Sequence, residues 1–295
     1  MKKLVTLIIF IMFISCDSTI VNNPRNEQHE EELTYTLDIA NQTEFSLNNI
    51  NGNITIIGEY GIDSIIVNVK KIVYANTTEM AIQHMVDIEL NFLNTDSHIE
   101  VSTDFPDSNE LNYQVDFDII IPDHFLTEVS NINGNIDVSH LLANIQIQTV
   151  NGNILIQNTT GNAGISTING NITSSTNEGT LNASTINGNV IIDDFIGSLI
   201  CDTENGSINV LMDLETQDNC QISAINGNVT LALPLNTSAE VRLEVVIGSI
   251  NRYDGFNFSE TQSSQNFFSG ILNDGGSEIA VSIVNGTIQL NDNDQ

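Results

Sequence analysis

The amino-acid sequence predicts an all-β protein: a parallel β-solenoid of Asn-Gly repeats with about 18 residues per coil, capped at both ends. Three observations lead to this prediction. The motif apolar-Asn-Gly-polar-apolar recurs along the chain, the glycines from Gly134 to Gly206 are spaced 18 residues apart, and aliphatic and threonine positions repeat with the same period. Regular periods of this length are typical of repeat architectures, in which each unit buries its apolar face only against its neighbours.

The motif marks a recurrent turn. Its copies are residues 50–54, 132–136, 150–154, 168–172, 186–190, 204–208, 225–229 and 284–288. We interpret their glycines as structural turn residues that need a positive φ. These are Gly52, Gly134, Gly152, Gly170, Gly188, Gly206, Gly227 and Gly286. Further glycines lie halfway between several of them, so each unit is expected to hold two short strands and two turns.

Three rows of like residues run through the repeats. An apolar residue stands five positions before most of these glycines, and threonine often stands three before. The asparagine before the glycine is predicted to form a hydrogen-bonded structural ladder when coils stack. This Asn ladder comprises Asn133, Asn151, Asn169, Asn187, Asn205 and Asn226. An antiparallel meander with Asn-Gly hairpin turns is the alternative. The parallel solenoid is favoured because three rows repeat, and not the turn alone.

The N-terminus has the features of an export signal. Lys2 and Lys3 precede an apolar run at 4–14, which is too short for the roughly 20 residues that span a bilayer. Residues 13–16 resemble a lipobox, and this resemblance implies a lipoprotein signal peptide at 1–15 with lipidation of the Cys16 thiol. The alternative is an ordinary signal peptide. Residues 16–32 are then the lipidated cysteine and a flexible tether.

The remaining chain, residues 33–291, is predicted to be the β-solenoid domain. It divides into an N-terminal cap region at 33–128, regular repeats at 129–231 and a C-terminal cap region at 232–291. One short helix is expected at 78–86. Cys201 occupies an apolar repeat position and is expected to be buried; whether it is bridged to Cys220 stays open.

The charge is strongly negative. The chain carries 38 acidic residues, and only five basic ones remain after residue 15. Nucleic-acid binding requires basic patches, so no nucleic-acid partner is expected. An anionic membrane surface would repel this body, which leaves lipid as the means of attachment. The acidity fits a cationic or neutral partner, bound divalent cations, or solubility alone.

Taken together, several segments resemble a known family. They are residues 51–57, 65–69, 113–122, 233–234 and 282–288, with the Asn-Gly array between them. In order and spacing they resemble the bacterial toastrack-type domain, a family of unknown function with a conjectural adhesin label. The resemblance covers about residues 33–291. It implies a β-solenoid exposed in the envelope or outside the cell, and it carries over no site residues.

The sequence offers little catalytic chemistry. Calcium β-rolls repeat an aspartate in each turn, whereas the counterparts of Asp137 are Leu155, Thr173 and Ile191. Asp193-Asp194 is the most suggestive carboxylate pair, but adjacent strand residues point to opposite faces. The histidines lack metal-binding spacing, and no nucleophile elbow or phosphate loop occurs. We therefore predict no catalytic residue, no metal site and no cofactor.

These observations favour a non-catalytic cell-envelope lipoprotein that presents a rigid acidic β-solenoid for adhesion or protein–protein contact. The alternatives are a carbohydrate-active β-solenoid enzyme using paired carboxylates, or an envelope-stress scaffold that self-associates. The expected partners are the membrane, through the lipid anchor, and a protein or glycan ligand that the sequence does not identify. The expected location is the bacterial cell envelope, facing the periplasm or the surface.

Overall fold

The computed structural model describes residues 7–8, 27–106 and 111–293. The chain divides into two compact units, residues 1–141 and 142–295, and each is described by itself. Both consist of strands, which confirms the all-β prediction. The described residues include no helix that is long and apolar enough to cross a membrane.

The first unit contains ten strands and one short helix among its described residues. They are β1 (Leu7–Ile8), β2 (Glu27–Asp38), β3 (Glu44–Asn48), β4 (Ile54–Glu59), β5 (Ser64–Ala75), α1 (Thr78–His84), β6 (Glu89–Asn94), β7 (His98–Asp104), β8 (Asn112–Pro122), β9 (Leu126–Asn133) and β10 (Ile136–Ser139). A 3₁₀ turn at Met85–Asp87 follows α1. The Thr77 hydroxyl caps α1 by accepting a hydrogen bond from the Met80 N–H, so the predicted helix is confirmed.

This unit is built from two series of paired strands. In one, β1, β2, β5 and β8 pair antiparallel in that order, and β4 and β10 continue it in parallel. In the other, β6 pairs antiparallel with β7, and β3 and β9 follow in parallel. Residues 44–57 therefore lie in register with 126–139, although 82 positions separate Asn51 from Asn133.

This register corrects the predicted boundary of the regular repeats. Residues 44–59 form a regular Asn-Gly coil inside the segment assigned to the irregular N-terminal cap. The cause is the long segment between the two coils, which contains β5 to β8 and interrupts the period along the chain. The two coils nevertheless stack directly on each other, as successive regular repeats do.

The predicted tether also needs correction. β2 begins at Glu27, so residues 27–32 are a strand and not a flexible linker. The acidic run is held because β5 brings two lysines opposite it, with Glu32 beside Lys70 and Glu31 beside Lys71. The Lys70 Nζ lies 2.8 Å from a carboxylate oxygen of Glu30. Cys16 lies outside the described residues.

The second unit contains twelve strands among its described residues. They are β11 (Ile145–Asn151), β12 (Ile154–Gln157), β13 (Thr160–Asn169), β14 (Ile172–Asn187), β15 (Val190–Asn205), β16 (Ile208–Asp213), β17 (Asn219–Asn226), β18 (Val229–Leu233), β19 (Ala239–Arg252), β20 (Phe258–Ser263), β21 (Phe267–Leu272) and β22 (Ser277–Asp292).

Parallel pairing organises most of this unit, and the offset between partners is constant in its regular coils. Partners in β13 and β14, and in β14 and β15, are 18 residues apart, as Ile165 beside Ala183 and Ala183 beside Cys201 show. The antiparallel meander is therefore wrong for these strands. The offset becomes 21 residues between β15 and β17. The last strand, β22, pairs in parallel with β17 and β18 on one side and with β19 on the other, and the antiparallel pair β20–β21 extends β19.

The inward positions stack as a column of small and branched apolar side chains. The column consists of Ile147, Ile165, Ala183, Cys201, Ile222 and Val281, each at most 2% exposed. Cys201 and Cys220 are both free thiols. Burial raises the pKa of Cys220 to about 12 and that of Cys201 well above its ordinary value, so both behave as apolar core groups.

Candidate functional site

The Asn-Gly corner of each coil in the second unit carries a continuous amide ladder. The Nδ2 group of each asparagine donates to the Oδ1 of the equivalent asparagine one coil before it. The five distances, from Asn169 to Asn151, Asn187 to Asn169, Asn205 to Asn187, Asn226 to Asn205 and Asn285 to Asn226, are 2.9, 2.9, 3.0, 3.0 and 2.9 Å. In the first unit the Asn133 Nδ2 donates to the Asn51 Oδ1 over 2.7 Å. Asn285 therefore extends the ladder of the second unit and Asn51 takes part in the bond of the first, although neither was predicted.

A second ladder runs beside the first and was missed at the sequence level. The Asn153 Oδ1 accepts the Asn171 backbone N–H over 2.8 Å, and the Asn171 Oδ1 accepts that of Asn189 over the same distance. The Asn189 Oδ1 accepts the N–H of Ser207. The signal was present, because the residue after each motif glycine is usually asparagine, with serine or threonine as replacements. Each of these side chains satisfies a backbone donor of the next coil.

The motif glycines are required by close stacking more than by turn conformation. Gly52, Gly134 and Gly286 have the expected positive φ, at 133°, 138° and 151°. Gly170, Gly188, Gly206 and Gly227 do not lie in the left-handed region, which corrects the prediction for them. A Cβ on Gly188 would instead lie 1.9 Å from the Gly170 carbonyl oxygen. Only glycine lets the backbones of successive coils approach so closely.

Buried threonines bond to the glycine carbonyls of this corner. The Oγ1 atoms of Thr167, Thr185 and Thr203 donate to the carbonyl oxygens of Gly152, Gly170 and Gly188 over 3.1, 3.0 and 3.2 Å, respectively. Side chains and backbone of the corner are therefore hydrogen-bonded mainly to one another. This arrangement stabilises the stack and indicates no reactive group.

Aliphatic side chains flank the amide ladder and point to solvent. We call them the corner stripe: Ile168, Ile186, Ile225 and Val284, which are 38–45% exposed. They stand at the motif position before the ladder asparagine, and Glu204 interrupts their row. Neighbouring strands in a sheet lie about 4.8 Å apart, so Ile168 and Ile186 form one closely spaced apolar pair, and Ile225 and Val284 form another beyond Glu204. Exposed apolar surface that is held in place in this way often marks an interaction site.

The carboxylate pair Asp193-Asp194 lies within strand β15, where the register with β16 shifts between Ile192 and Phe195. Both residues are exposed, so the expectation that they point to opposite faces is wrong. Asp194 has a φ of 54°, a left-handed conformation that Asn158 and Thr176 also adopt at the equivalent positions of the preceding coils. The backbone bend that these three coils share therefore accounts for the position of Asp194 without catalysis. In the described part of the chain, no group of three or more His, Cys, Asp or Glu side chains is arranged to hold a metal ion.

The aromatic cluster of the second unit packs against its terminal hairpin. The Tyr253 and Phe256 ring centroids are 6.0 Å apart, and those of Phe258 and Phe268 are 4.9 Å apart. Phe256 and Phe268 are buried. The Arg252 guanidinium lies 3.8 Å from the Phe268 ring centroid, a cation–π distance. This cluster closes a core and offers no open aromatic platform.

Comparison with known proteins gives a family and no function. No curated protein matches the chain. Three solved structures with similarity are a proposed cell adhesion protein from Clostridium sporogenes and proposed adhesins from Bacteroides fragilis and Parabacteroides merdae. Their identities are 13%, 11% and 9%, and their TM-scores are 0.26, 0.41 and 0.41. Each alignment covers 90% of this chain, and 100%, 98% and 97% of the other chain, respectively.

The family model gives the firmer result. The model of the family described as Toastrack DUF4097 matches residues 85–291, which is more than half of the chain. The match includes the Asn-Gly coils of the second unit and their amide ladders. This chain is a member of the Toastrack DUF4097 family.

Proposed function

We propose that the protein is a non-catalytic cell-envelope lipoprotein that presents an acidic β-solenoid of 18-residue coils for adhesion or protein–protein contact. The observation that carries the proposal is the corner stripe. Ile168, Ile186, Ile225 and Val284 remain exposed beside an amide ladder whose hydrogen bonds are made within the stack. Apolar side chains held in a fixed row bind a partner without a large loss of their own conformational freedom.

The acidic charge supports a partner that is neutral or basic. The chain has a formal net charge of −31, so an acidic partner would be repelled at long range. The four residues of the corner stripe are uncharged, and Glu204 is the charged residue that interrupts their row. We therefore expect the partner to contact the stripe through apolar groups and the surrounding surface through basic ones.

Photo-crosslinking in living cells tests the proposed contact. A photoreactive phenylalanine analogue placed at Ile186 or at Ile225 should give a discrete adduct with the partner. The matched controls are Ile191 and Ile200, which are 43% and 44% exposed in the same unit but lie off the stripe. Adducts from the stripe alone support the proposal. Equal labelling from all four positions, or none from the stripe, contradicts it, and an adduct of twice the chain's mass identifies a second copy as the partner.

The lipid anchor is tested separately. Cys16→Ala should release the protein from the membrane fraction, because acyl chains and not charge are proposed to hold this acidic body at a membrane. Cys201→Ala is the matched control, since that thiol is buried. Retention of the Cys16→Ala variant in the membrane fraction would contradict lipid anchoring and leave the contact proposal standing.

A further inference from the structure

A groove of about 690 Å³ opens beside the first Asn-Gly corner, within the first unit. We call it the Asn51 groove. Its described lining combines aromatic rings, notably Tyr74, Phe105 and Tyr113, with side-chain amides, notably Asn51 and Gln114. Small-molecule sites commonly have volumes of about 300–1,000 Å³ and a few placed polar groups. The volume of the groove lies within this range, and polar side chains form part of its lining.

Ring packing and hydrogen bonds hold the aromatic side of the groove in place. The ring centroids of Phe105 and Tyr113 are 6.1 Å apart, and Tyr113 is buried. Phe105 and Tyr74 are half-buried and line the groove. The Tyr74 hydroxyl donates to the Gln114 Oε1 over 3.3 Å. Half-exposed rings held in this way offer flat apolar faces at little entropic cost.

Hydrogen bonds also fix the orientation of the side-chain amides that line the groove. The Gln114 Nε2 donates to both carboxylate oxygens of Asp116, at 2.9 and 3.1 Å. The Asn51 Oδ1 accepts from the Asn133 Nδ2, and within the described residues the Asn51 Nδ2 makes no hydrogen bond. An amide presents a donor and an acceptor side by side, which matches two neighbouring hydroxyls of a sugar ring.

The charge of the residues that line the groove favours neutral over charged ligands. None of the described lining residues is charged, although the chain as a whole is strongly acidic. The nearby Asp116 carboxylate is occupied by Gln114 and by the Asn53 backbone N–H at 2.7 Å. Within this described lining, a charged ligand would find no oppositely charged side chain and would be desolvated without compensation.

We propose that the Asn51 groove binds a neutral oligosaccharide, with about two or three sugar rings inside a groove of this volume. The aromatic faces contact the C–H faces of the rings, and Asn51 bonds to their hydroxyls. A proline-rich peptide is the other ligand that aromatic grooves accept. The saccharide is favoured because, among the described residues, the Asn51 Nδ2 is an unused donor, and the neighbouring Oδ1, which accepts one bond from Asn133, has a second lone pair for a hydroxyl.

Isothermal titration of the full-length protein in mild detergent tests the proposal. The probes are cellotriose, maltotriose and chitotriose, with the glucosamine trimer as the cationic counterpart of chitotriose and a proline-rich decapeptide as the peptide control. At least one neutral trisaccharide should bind, and the glucosamine trimer should bind more weakly than chitotriose. Binding by none of the three neutral probes, or stronger binding by the cationic trimer or the peptide, overturns the proposal.

Variants then place the site. Phe105→Ala and Asn51→Asp should each weaken binding at least about tenfold, because each removes one side of the groove. Tyr60→Ala is the matched control, since Tyr60 belongs to the same unit and is 89% exposed; its affinity should stay within about twofold. Binding that is unchanged in both groove variants, with folding checked by circular dichroism, also overturns the proposal.

This test is independent of the proposed contact function. The groove lies in the first unit and the corner stripe in the second. Missing saccharide binding together with intact adducts at Ile186 removes this inference alone. Saccharide binding without those adducts removes the corner-stripe contact and keeps the groove.

Discussion

The two corners of each coil in the second unit differ in how strictly their residues repeat. At the Asn-Gly corner, Asn169, Asn187 and Asn205 are identical and bond directly to one another. At the opposite corner the equivalent residues of three coils are Asn158, Thr176 and Asp194. The contrast shows that residues repeat most strictly where their side chains hydrogen-bond to their own copies in the next coil.

At the first position of the opposite corner the backbone conformation is conserved from coil to coil, but the residue type is not. Asn158, Thr176 and Asp194 have φ values of 52°, 55° and 54°. Three positions later the glycine is kept: Gly179 has a φ of 127°, and a Cβ on it would lie 2.2 Å from the Gly161 carbonyl oxygen. Glycine is therefore retained at both corners for close stacking, while the left-handed residue varies.

The interior of the opposite corner varies most. Asn177 is buried; its Oδ1 accepts from the Thr159 backbone N–H at 2.7 Å, and its Nδ2 donates to the Ser174 Oγ at 2.7 Å. In the next coil Phe195 lies beside Asn177 in register. A buried polar network is thus replaced by one aromatic ring within a single coil step. A buried position therefore accepts any residue that packs with its neighbours, whereas a ladder position requires the same residue type in the next coil.

The largest expected effect comes from filling the stacked corner. Gly188→Ala places a methyl group 1.9 Å from the Gly170 carbonyl oxygen, which should lower the free energy of unfolding by about 3 kcal/mol or more. Gly276→Ala is the control: it has a positive φ but open space around it, and should cost about 1 kcal/mol. Urea denaturation measures both. Equal losses would show that backbone conformation, and not stacking, requires the corner glycine.

The buried network should be the next most sensitive. Asn177→Ala leaves the Thr159 N–H and the Ser174 hydroxyl without this partner, and we expect a loss of about 2 kcal/mol in the free energy of unfolding. Thr159→Val removes one hydroxyl that bonds to Asn177 and keeps the backbone bond, so it should cost less. A thermal melt series compares them. A neutral Asn177→Ala variant would mean that the network contributes nothing.

The exposed ladder should respond more weakly. Asn187→Ala removes the bonds to Asn169 and from Asn205, both in contact with solvent, and should cost about 1 kcal/mol. Asn182→Ala, an exposed asparagine of the same strand but outside the ladder, should change stability by less than about 0.5 kcal/mol. The difference between their urea midpoints measures the ladder. Equal midpoints would remove the ladder as a source of stability.

The smallest effect should be a gain. Thr176 holds a left-handed φ that β-branched residues adopt at a cost, whereas asparagine tolerates it and occupies the equivalent Asn158 position. Thr176→Asn should therefore raise the free energy of unfolding by about 0.5–1 kcal/mol. A differential scanning calorimetry trace checks this. A lower melting temperature would show that Thr176 contributes more through its contacts than it loses through its backbone.

The periodic features of the fold could be predicted from the sequence, whereas the features without a period could not. Periodic glycines and asparagines sufficed for the all-β class and for the ladder positions, because stacked identical residues leave a visible period. The coil at 44–59 was assigned to a cap because the inserted strands hide its period, and the strand at Glu27 was missed because its partner β5 lies far along the chain. The Asn51 groove is lined by residues from several strands with no common spacing, and no sequence pattern marks it.

The central claim is that corner residues contact their own copies one coil away. Nuclear Overhauser spectroscopy on protein with labelled asparagine side chains tests it directly. We expect cross-peaks from the Asn187 side-chain amide to those of Asn169 and Asn205, which lie 18 positions before and after it and bond to it over 2.9 and 3.0 Å. Cross-peaks to other asparagines in place of these two, or none at all, would contradict the account.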